Sequence, residues 1–301
     1  MNFSIRHVAV SLAACATVLL ATTVMAQGLT GTLKKVKDDG VMVLGHRDSS
    51  MPYSYVAQGN EVVGYSHEFA MKIVEQVKKA VGNPNLTVRL VPINAQNRIT
   101  LMQNGTIDLE CGGTSNTAER RKQVEFSNSL SITQARLLTR KDSGVKDFSD
   151  LPNKTVVVTA GTTSERFLRD YIDKTRAPIT IVSAKDHAQS FILLQSGRAA
   201  AFFMDSDVLA ATMARARDSA DYVITGTPQT HEAIACMLRR DDPAFKTLVD
   251  RTIAGIETSG EAAKMWQKWF DSPIPPNGIQ LKLPLPDEIR DLFAKPNDKT
   301  L

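Results

Sequence analysis

One pattern occurs twice in this chain and narrows the folds open to it: a short apolar helix, a glycine stop, a buried strand and a polar loop. In the first copy, from Pro92 to Thr117, Arg98 stands at the start of the helix, and Ile99, Leu101 and Met102 supply its apolar positions. Asn104-Gly105 ends it, because glycine takes the left-handed conformation that a helix C-terminus needs. Ile107 to Cys111 reads as a strand that leads into Gly112-Gly113-Thr114-Ser115, small residues that leave N–H and hydroxyl donors open to a ligand. In the second copy, Ser190 to Asp207, the helix stops at Ser196-Gly197 and the strand leads to Met204-Asp205. Aligning Gly105 with Gly197 sets Gly113 opposite Asp205. One unit offers a cation with neutral donors and the other a carboxylate, so a molecule carrying both charges, such as an amino acid, fits between them.

The N-terminus reads as an export signal. Arg6 precedes an apolar run from Val8 through Met25, and Val24-Met25-Ala26 supplies small or moderately small residues for cleavage after Ala26. Leu12-Ala13-Ala14-Cys15 matches a lipoprotein box that would acylate Cys15, but the apolar run continues well past it. Roughly 275 residues remain, enough for two domains or one large α/β domain. The net charge of +4 is too mild, and the aromatic content of 6% too low, to point to nucleic acid. Lys34, Lys35 and Lys37, followed by Asp38 and Asp39, read as a solvated helix face.

Cys111 and Cys236 are the two cysteines left after the signal, an even count in an exported chain, which favours a disulfide; two buried free thiols are the alternative. From Gly40 the periodicity is α/β. A strand at Val41 to Leu44 leads into Gly45-His46-Arg47-Asp48-Ser49-Ser50, and a helix is predicted from about Ser66 to Ala80. The chain changes domain around Ser129 to Thr139. Beyond it, Val156 to Val158 leads into Gly161-Thr162-Thr163-Ser164 at the start of a helix, where N–H groups, hydroxyls and the positive helix end suit an anion. Thr227 to Glu232 reads as a return crossing to a strand at Ala233 to Leu238 and helices at Ala244 to Glu257 and Gly260 to Phe270. Two crossings between lobes permit hinge closure. The chain has no HExxH, nucleophile elbow, GxGxxG after a strand, or Cys/His metal spacing.

Several of these stretches resemble family 3 periplasmic solute-binding proteins: Gly45 to Ser50, Gln96-Asn97-Arg98-Ile99, Thr114-Ser115-Asn116-Thr117 with Glu119-Arg120, Gly161 to Ser164, Ser183-Ala184-Lys185-Asp186-His187, Met204-Asp205, and Trp269-Phe270 with Pro273-Ile274-Pro275-Pro276. The likeness runs from about Gly40 to Asn297 and is strongest for the branch that takes acidic amino acids. It implies a two-lobe type II fold in the α/β class, with residues 27–134 and 231–301 forming lobe 1 and 135–230 forming lobe 2. It also implies a periplasmic, monomeric, non-enzymatic protein without a cofactor that hands glutamate or aspartate to the permease of an ABC transporter. On that likeness Arg98, with Thr114 and Ser115, holds the α-carboxylate, and Asp205 takes the α-ammonium. Arg47 and His187 take the side-chain carboxylate, and Thr162, Thr163 and Ser164 are closing contacts from the second lobe. Ala95 and Gly113 depart from the likeness, each standing where a serine is expected. The competing expectation is an exported enzyme on the same fold, such as a dehydratase of an amino-acid-like acid, with Glu110 or Asp48 as general acid. A ligand-sensing module would need a transmembrane signalling segment, and the chain offers no stretch for one.

Overall fold

A computed structural model describes residues 28–301; the expected export signal and Cys15 lie outside the described residues. The chain builds two five-stranded sheets, each flanked by helices. In the first, the strands run in the order Thr87–Ile93, Val41–Arg47, Leu109–Ser115, Glu232–Leu238 and Glu125–Thr133. The first three are parallel, and Glu232–Leu238 pairs antiparallel with both of its neighbours. The second sheet repeats the plan with Thr180–Ala184, Thr155–Thr159, Ala201–Asp205, Ala135–Arg140 and Tyr222–Thr225. The strands of the two copies, Leu109–Ser115 and Ala201–Asp205, are equivalent: each is the middle strand of its sheet, parallel to its neighbour on one side and antiparallel to that on the other.

Alternation along the strands covers both faces of each sheet. Val43, Ala235 and Met237 pack with Met102 and Ile107 on one side of the first sheet. Met42, Leu44 and Cys236 pack on the other with Phe69, Ile73 and Val77 of the helix Tyr65–Val81. In the second sheet, Val156, Val158 and Phe203 face Leu168, while Val157, Phe202 and Met204 face Leu194 and Leu209. The chain passes between sheets at Gln134, between strands Glu125–Thr133 and Ala135–Arg140, and again through residues 226–231.

Cys111 and Cys236 form a disulfide across neighbouring antiparallel strands. It joins the two chain segments of the first sheet through cysteines 125 residues apart in sequence. Three features differ from the sequence reading. Lys35 is not simply solvated: it reaches the buried Asp108 carboxylate at 2.8 Å, which also takes Arg239 at 2.9 Å. A small sheet of Ser49–Ser50, Ser54–Val56 and Val62–Val63 follows the first strand, and a helix, Asp287–Ala294, follows the proline-rich stretch. Both are too short to carry a clear periodicity.

Glu257, near the end of the helix Pro243–Thr258, is buried with neither carboxylate oxygen bonded. Burial, with Asp250 as a smaller contributor, pushes its carboxyl up to about 9. The folded chain therefore keeps a proton that the unfolded chain, with its ordinary carboxyl, gives up. Stability linked to this group is intact below about pH 4.5 and falls as pH rises toward about 9. Glu257→Gln is expected to match the parent in acid and to exceed it at pH 8 by on the order of 2 kcal/mol. Thermal denaturation of both proteins from pH 4 to 9 checks this; parallel curves would contradict it.

Candidate ligand-binding cleft

The residues singled out from sequence converge because each follows the carboxyl end of a strand, where open α/β sheets place their ligands. Arg47 ends its strand, and Arg98 opens the helix Arg98–Gln103 just beyond strand Thr87–Ile93. Thr114 and Ser115 are the last two residues of Leu109–Ser115; they lie in the strand rather than in a loop beyond it, because the antiparallel partner Glu232–Leu238 extends the pairing to Ser115. From the second sheet come Thr162 to Ser164 after Thr155–Thr159, His187 after Thr180–Ala184, and Asp205 at the end of Ala201–Asp205. All nine of these residues are buried.

Arg98 is held by a relay. Its Nη1 donates to Thr114 Oγ1 at 2.5 Å, and that hydroxyl donates to Glu110 Oε2 at 2.7 Å. Glu110, fully buried, therefore fixes both the threonine hydroxyl and, through it, the guanidinium. A Cβ at Gly112 would fall 2.5 Å from Glu110 Oε1 and 2.6 Å from Arg47 Cγ, so only glycine leaves room for both side chains. Burial, and then repulsion from Arg98, lowers the Arg47 guanidinium to about 10; it remains a cation at neutral pH. Burial also lowers Arg98, offset by the charges of Glu110, Asp205 and Glu232.

His187 begins the helix His187–Gln195, whose N-cap is Asp186. Its Nδ1 lies 2.8 Å from Thr159 Oγ1, and that hydroxyl lies 2.8 Å from Ser190 Oγ. Burial and the nearby charges of Arg47 and Arg98 hold the imidazole well below its ordinary pKa, so it is neutral at pH 7. Thr162 caps the helix Thr163–Thr175: its hydroxyl accepts from the Glu165 N–H and donates to the Thr159 carbonyl. Thr163 donates to Glu232 Oε2 at 2.8 Å and lies 3.5 Å from Ser115 Oγ, bringing the two sheets together. Asp205 is raised well above the usual carboxylate range, first by burial and then by Glu232 and Asp207.

Buried atoms without a hydrogen-bonding partner are costly, and those that line a cleft can be met by a ligand group. Here they include Arg47 Nη2, Arg98 Nε, Ser164 Oγ and Asp205 Oδ1, drawn from both sheets. Two cationic forks from the first lobe, with a hydroxyl and a carboxylate from the second, are complementary to a zwitterion carrying additional negative charge.

Sequence reasoning missed the parts that bind the lobes to each other. Arg120 donates from Nη1 to the Ser115 carbonyl at 3.0 Å and from Nη2 to the Gly161 carbonyl at 3.2 Å, spanning the cleft. Glu119 pairs with Arg166 of the other lobe, and Tyr53 bonds Asp207. The general-acid candidates of the enzyme reading fare differently: Asp48 has a 63% exposed side chain, and Glu110 is engaged as the acceptor that orients Thr114.

Comparison with known proteins agrees with this architecture. The chain is 50% identical over 270 residues to the glutamate/aspartate import solute-binding protein of Escherichia coli (strain K12), covering 90% of this chain and 89% of that protein. It is 48% identical over 282 residues to the L-glutamate/L-aspartate-binding protein of Pseudomonas aeruginosa (strain PAO1), covering 93% of each. Among solved structures, the ancestral amino acid-binding protein AncCDT-1, a precursor of cyclohexadienyl dehydratase, superposes with a TM-score of 0.70 at 26% identity, covering 80% of this chain and all of that one. Residues 42–272 match the family of bacterial extracellular solute-binding proteins, family 3. With that match, two lobes of the type II plan and a cleft lined at the strand ends, the chain belongs to the bacterial extracellular solute-binding proteins of family 3.

Proposed function

We propose that this protein captures an acidic amino acid, L-glutamate or L-aspartate, between its lobes and delivers it to the membrane permease of an ABC uptake system. It acts as a periplasmic monomer after removal of residues 1–26. The observation that carries this reading is the buried pair Arg47 and Arg98 in one lobe together with Asp205, whose Oδ1 has no partner, in the other. The names of the two relatives above agree with it.

Arg98 with Ser115 takes the α-carboxylate, and Asp205 takes the α-ammonium, whose positive charge offsets the burial that raises the Asp205 carboxyl. Arg47 takes the side-chain carboxylate, helped by His187. His187 donates from Nε2 when Ser190 turns its hydroxyl from the Asp186 carbonyl, to which it donates at 3.0 Å, toward Thr159, which then donates to Nδ1. Thr163 and Ser164 close over the ligand from the second lobe, with Thr162 acting through the helix cap. The lobes, residues 27–134 with 231–301 and residues 135–230, part and close about Gln134 and the crossing at 226–231.

Arg47→Ala separates side-chain recognition from recognition of the amino-acid head. Titration calorimetry is expected to show glutamate and aspartate binding weakened by at least about 100-fold, with weak binding of neutral amino acids little changed. Equal losses for acidic and neutral ligands would refute the assignment of Arg47 to the side chain.

A further inference from the structure

Two carboxylates stand close together at the end of strand Ala201–Asp205, and they are bonded differently. Asp207, in the first turn of the helix Ser206–Arg215, is satisfied on both oxygens: Oδ1 accepts from the Val208 N–H at 2.7 Å, and Oδ2 accepts from the Tyr53 hydroxyl. Asp205 Oδ1 has no partner. Tyr53 belongs to the other lobe, between the strands Ser49–Ser50 and Ser54–Val56. Its ring is completely buried and packs edge-on against Tyr65 and Phe270, with centroids 6.5 and 5.9 Å away. A ring fixed in the core of one lobe thus sends its hydroxyl to the other.

The residue beneath that ring is Gly113. Its φ is +80°, and a Cβ there would lie 3.0 Å from Tyr53 Cδ2. Gly113 stands where a serine is expected from the family likeness, and a side chain there would press on the Tyr53 ring.

We propose that the Tyr53 hydroxyl is a latch between the lobes: its bond to Asp207 holds the closed cleft shut and leaves Asp205 as the carboxylate that meets the ligand's ammonium. The inference rests on the amino-acid-binding reading above. A ligand enclosed between lobes leaves only when they part, and parting must break this bond. A buried bond to a charged acceptor is among the stronger ones. Its effect falls mainly on dissociation, because an enclosed ligand must wait for this bond to break, whereas entry uses the fraction of the ligand-free population that is already open.

The test uses the chain lacking residues 1–26. Tyr53→Phe keeps the ring and removes the hydroxyl; Asp207→Ala removes the acceptor from the other side. Stopped-flow dissociation of glutamate or aspartate is expected to be about tenfold faster in either variant, with association changed by less than about twofold. The double variant is expected to be no faster than the single ones. Small-angle scattering of the ligand-free proteins is expected to show both variants more open than the parent. Unchanged dissociation and scattering, or additive effects in the double variant, would overturn the latch. If the parent binds no amino acid, the functional reading fails, and the ligand-free scattering still decides the latch by itself.

Discussion

Arg98→Ala is expected to abolish binding of every amino acid, acidic or neutral. The reason is the place of this guanidinium in the cleft. It is buried, its Nη1 is fixed through Thr114 by Glu110, and its Nε has no other partner. In the proposed function it is the pre-oriented donor for the one group that all amino acids share, the α-carboxylate. Burying that carboxylate without a cationic partner would cost several kcal/mol, on the order of the whole affinity of a micromolar ligand. The variant also leaves Glu110 buried with less positive charge around it, so a loss of thermal stability of about 1–3 kcal/mol is expected alongside. Arg98→Lys separates the two effects. It retains a charge for Glu110 but not the planar fork, and is expected to recover stability while binding remains at least about 100-fold weakened. Calorimetry and thermal denaturation on the three proteins check this. Affinity in Arg98→Ala close to that of the parent would contradict the account.

Gly161→Ala is expected to weaken binding almost as much, without touching any ligand-facing side chain. Gly161 lies in the second lobe, and in the closed arrangement it abuts the backbone of the first. A Cβ there would come within 2.7 Å of both the carbonyl carbon and the oxygen of Ala95, and within 2.8 Å of Gln96 Cα. These are backbone atoms, which cannot swing aside as a flexible side chain would. The φ of +79° adds a local penalty for any residue with a Cβ. Closure would stop short of the observed contact, losing the Gly161 carbonyl as the acceptor for Arg120 and the Thr163 bond to Glu232. A ligand then keeps the groups of lobe 1, Arg47, Arg98 and Ser115, and loses those of lobe 2, Asp205, Ser164 and His187. Two or three charge-assisted bonds are at stake, so at least a 100-fold loss is expected, roughly. Small-angle scattering of the ligand-saturated variant is expected to show a more open particle than the saturated parent. Parent-like affinity and compaction would contradict this. In this arrangement Gly161 and Ala95 abut without room for a side chain at position 161.

How much of this was legible in the sequence depends on how local each signal was. Arg98, Asp205 and the helix–glycine–strand units around them could be read directly, because a glycine stop and an apolar strand act within a few residues; Gly105 and Gly197 do adopt positive φ at the two stops. The strand ending in Thr114 and Ser115 read as shorter than it is, because what extends it is a partner strand more than a hundred residues later. Glu110 could be identified as a carboxylate but not as the acceptor that orients Thr114, since that bond depends on side chains meeting on one strand face. Tyr53 and Asp207 carry no local signature, and Arg120, though part of a family-like stretch, has none that reveals its partners. Their bonds cross between lobes, and only the packing of two separate sheets brings them together. The departures at Ala95 and Gly113 were visible as missing hydroxyls. Their physical setting, a backbone contact with Gly161 and a tyrosine ring over Gly113, came only with the structure.

The most direct test of the central claim is a calorimetric titration of the mature chain, unfolded and refolded to strip carried-over ligand, with glutamate, aspartate, glutamine, asparagine and lysine. The account predicts saturable one-site binding of glutamate or aspartate, with the amides and lysine at least about 100-fold weaker. Equal binding of glutamine and glutamate, or no binding of either acid by a correctly refolded protein, would contradict the claim that Arg47, Arg98 and Asp205 form an acidic-amino-acid site.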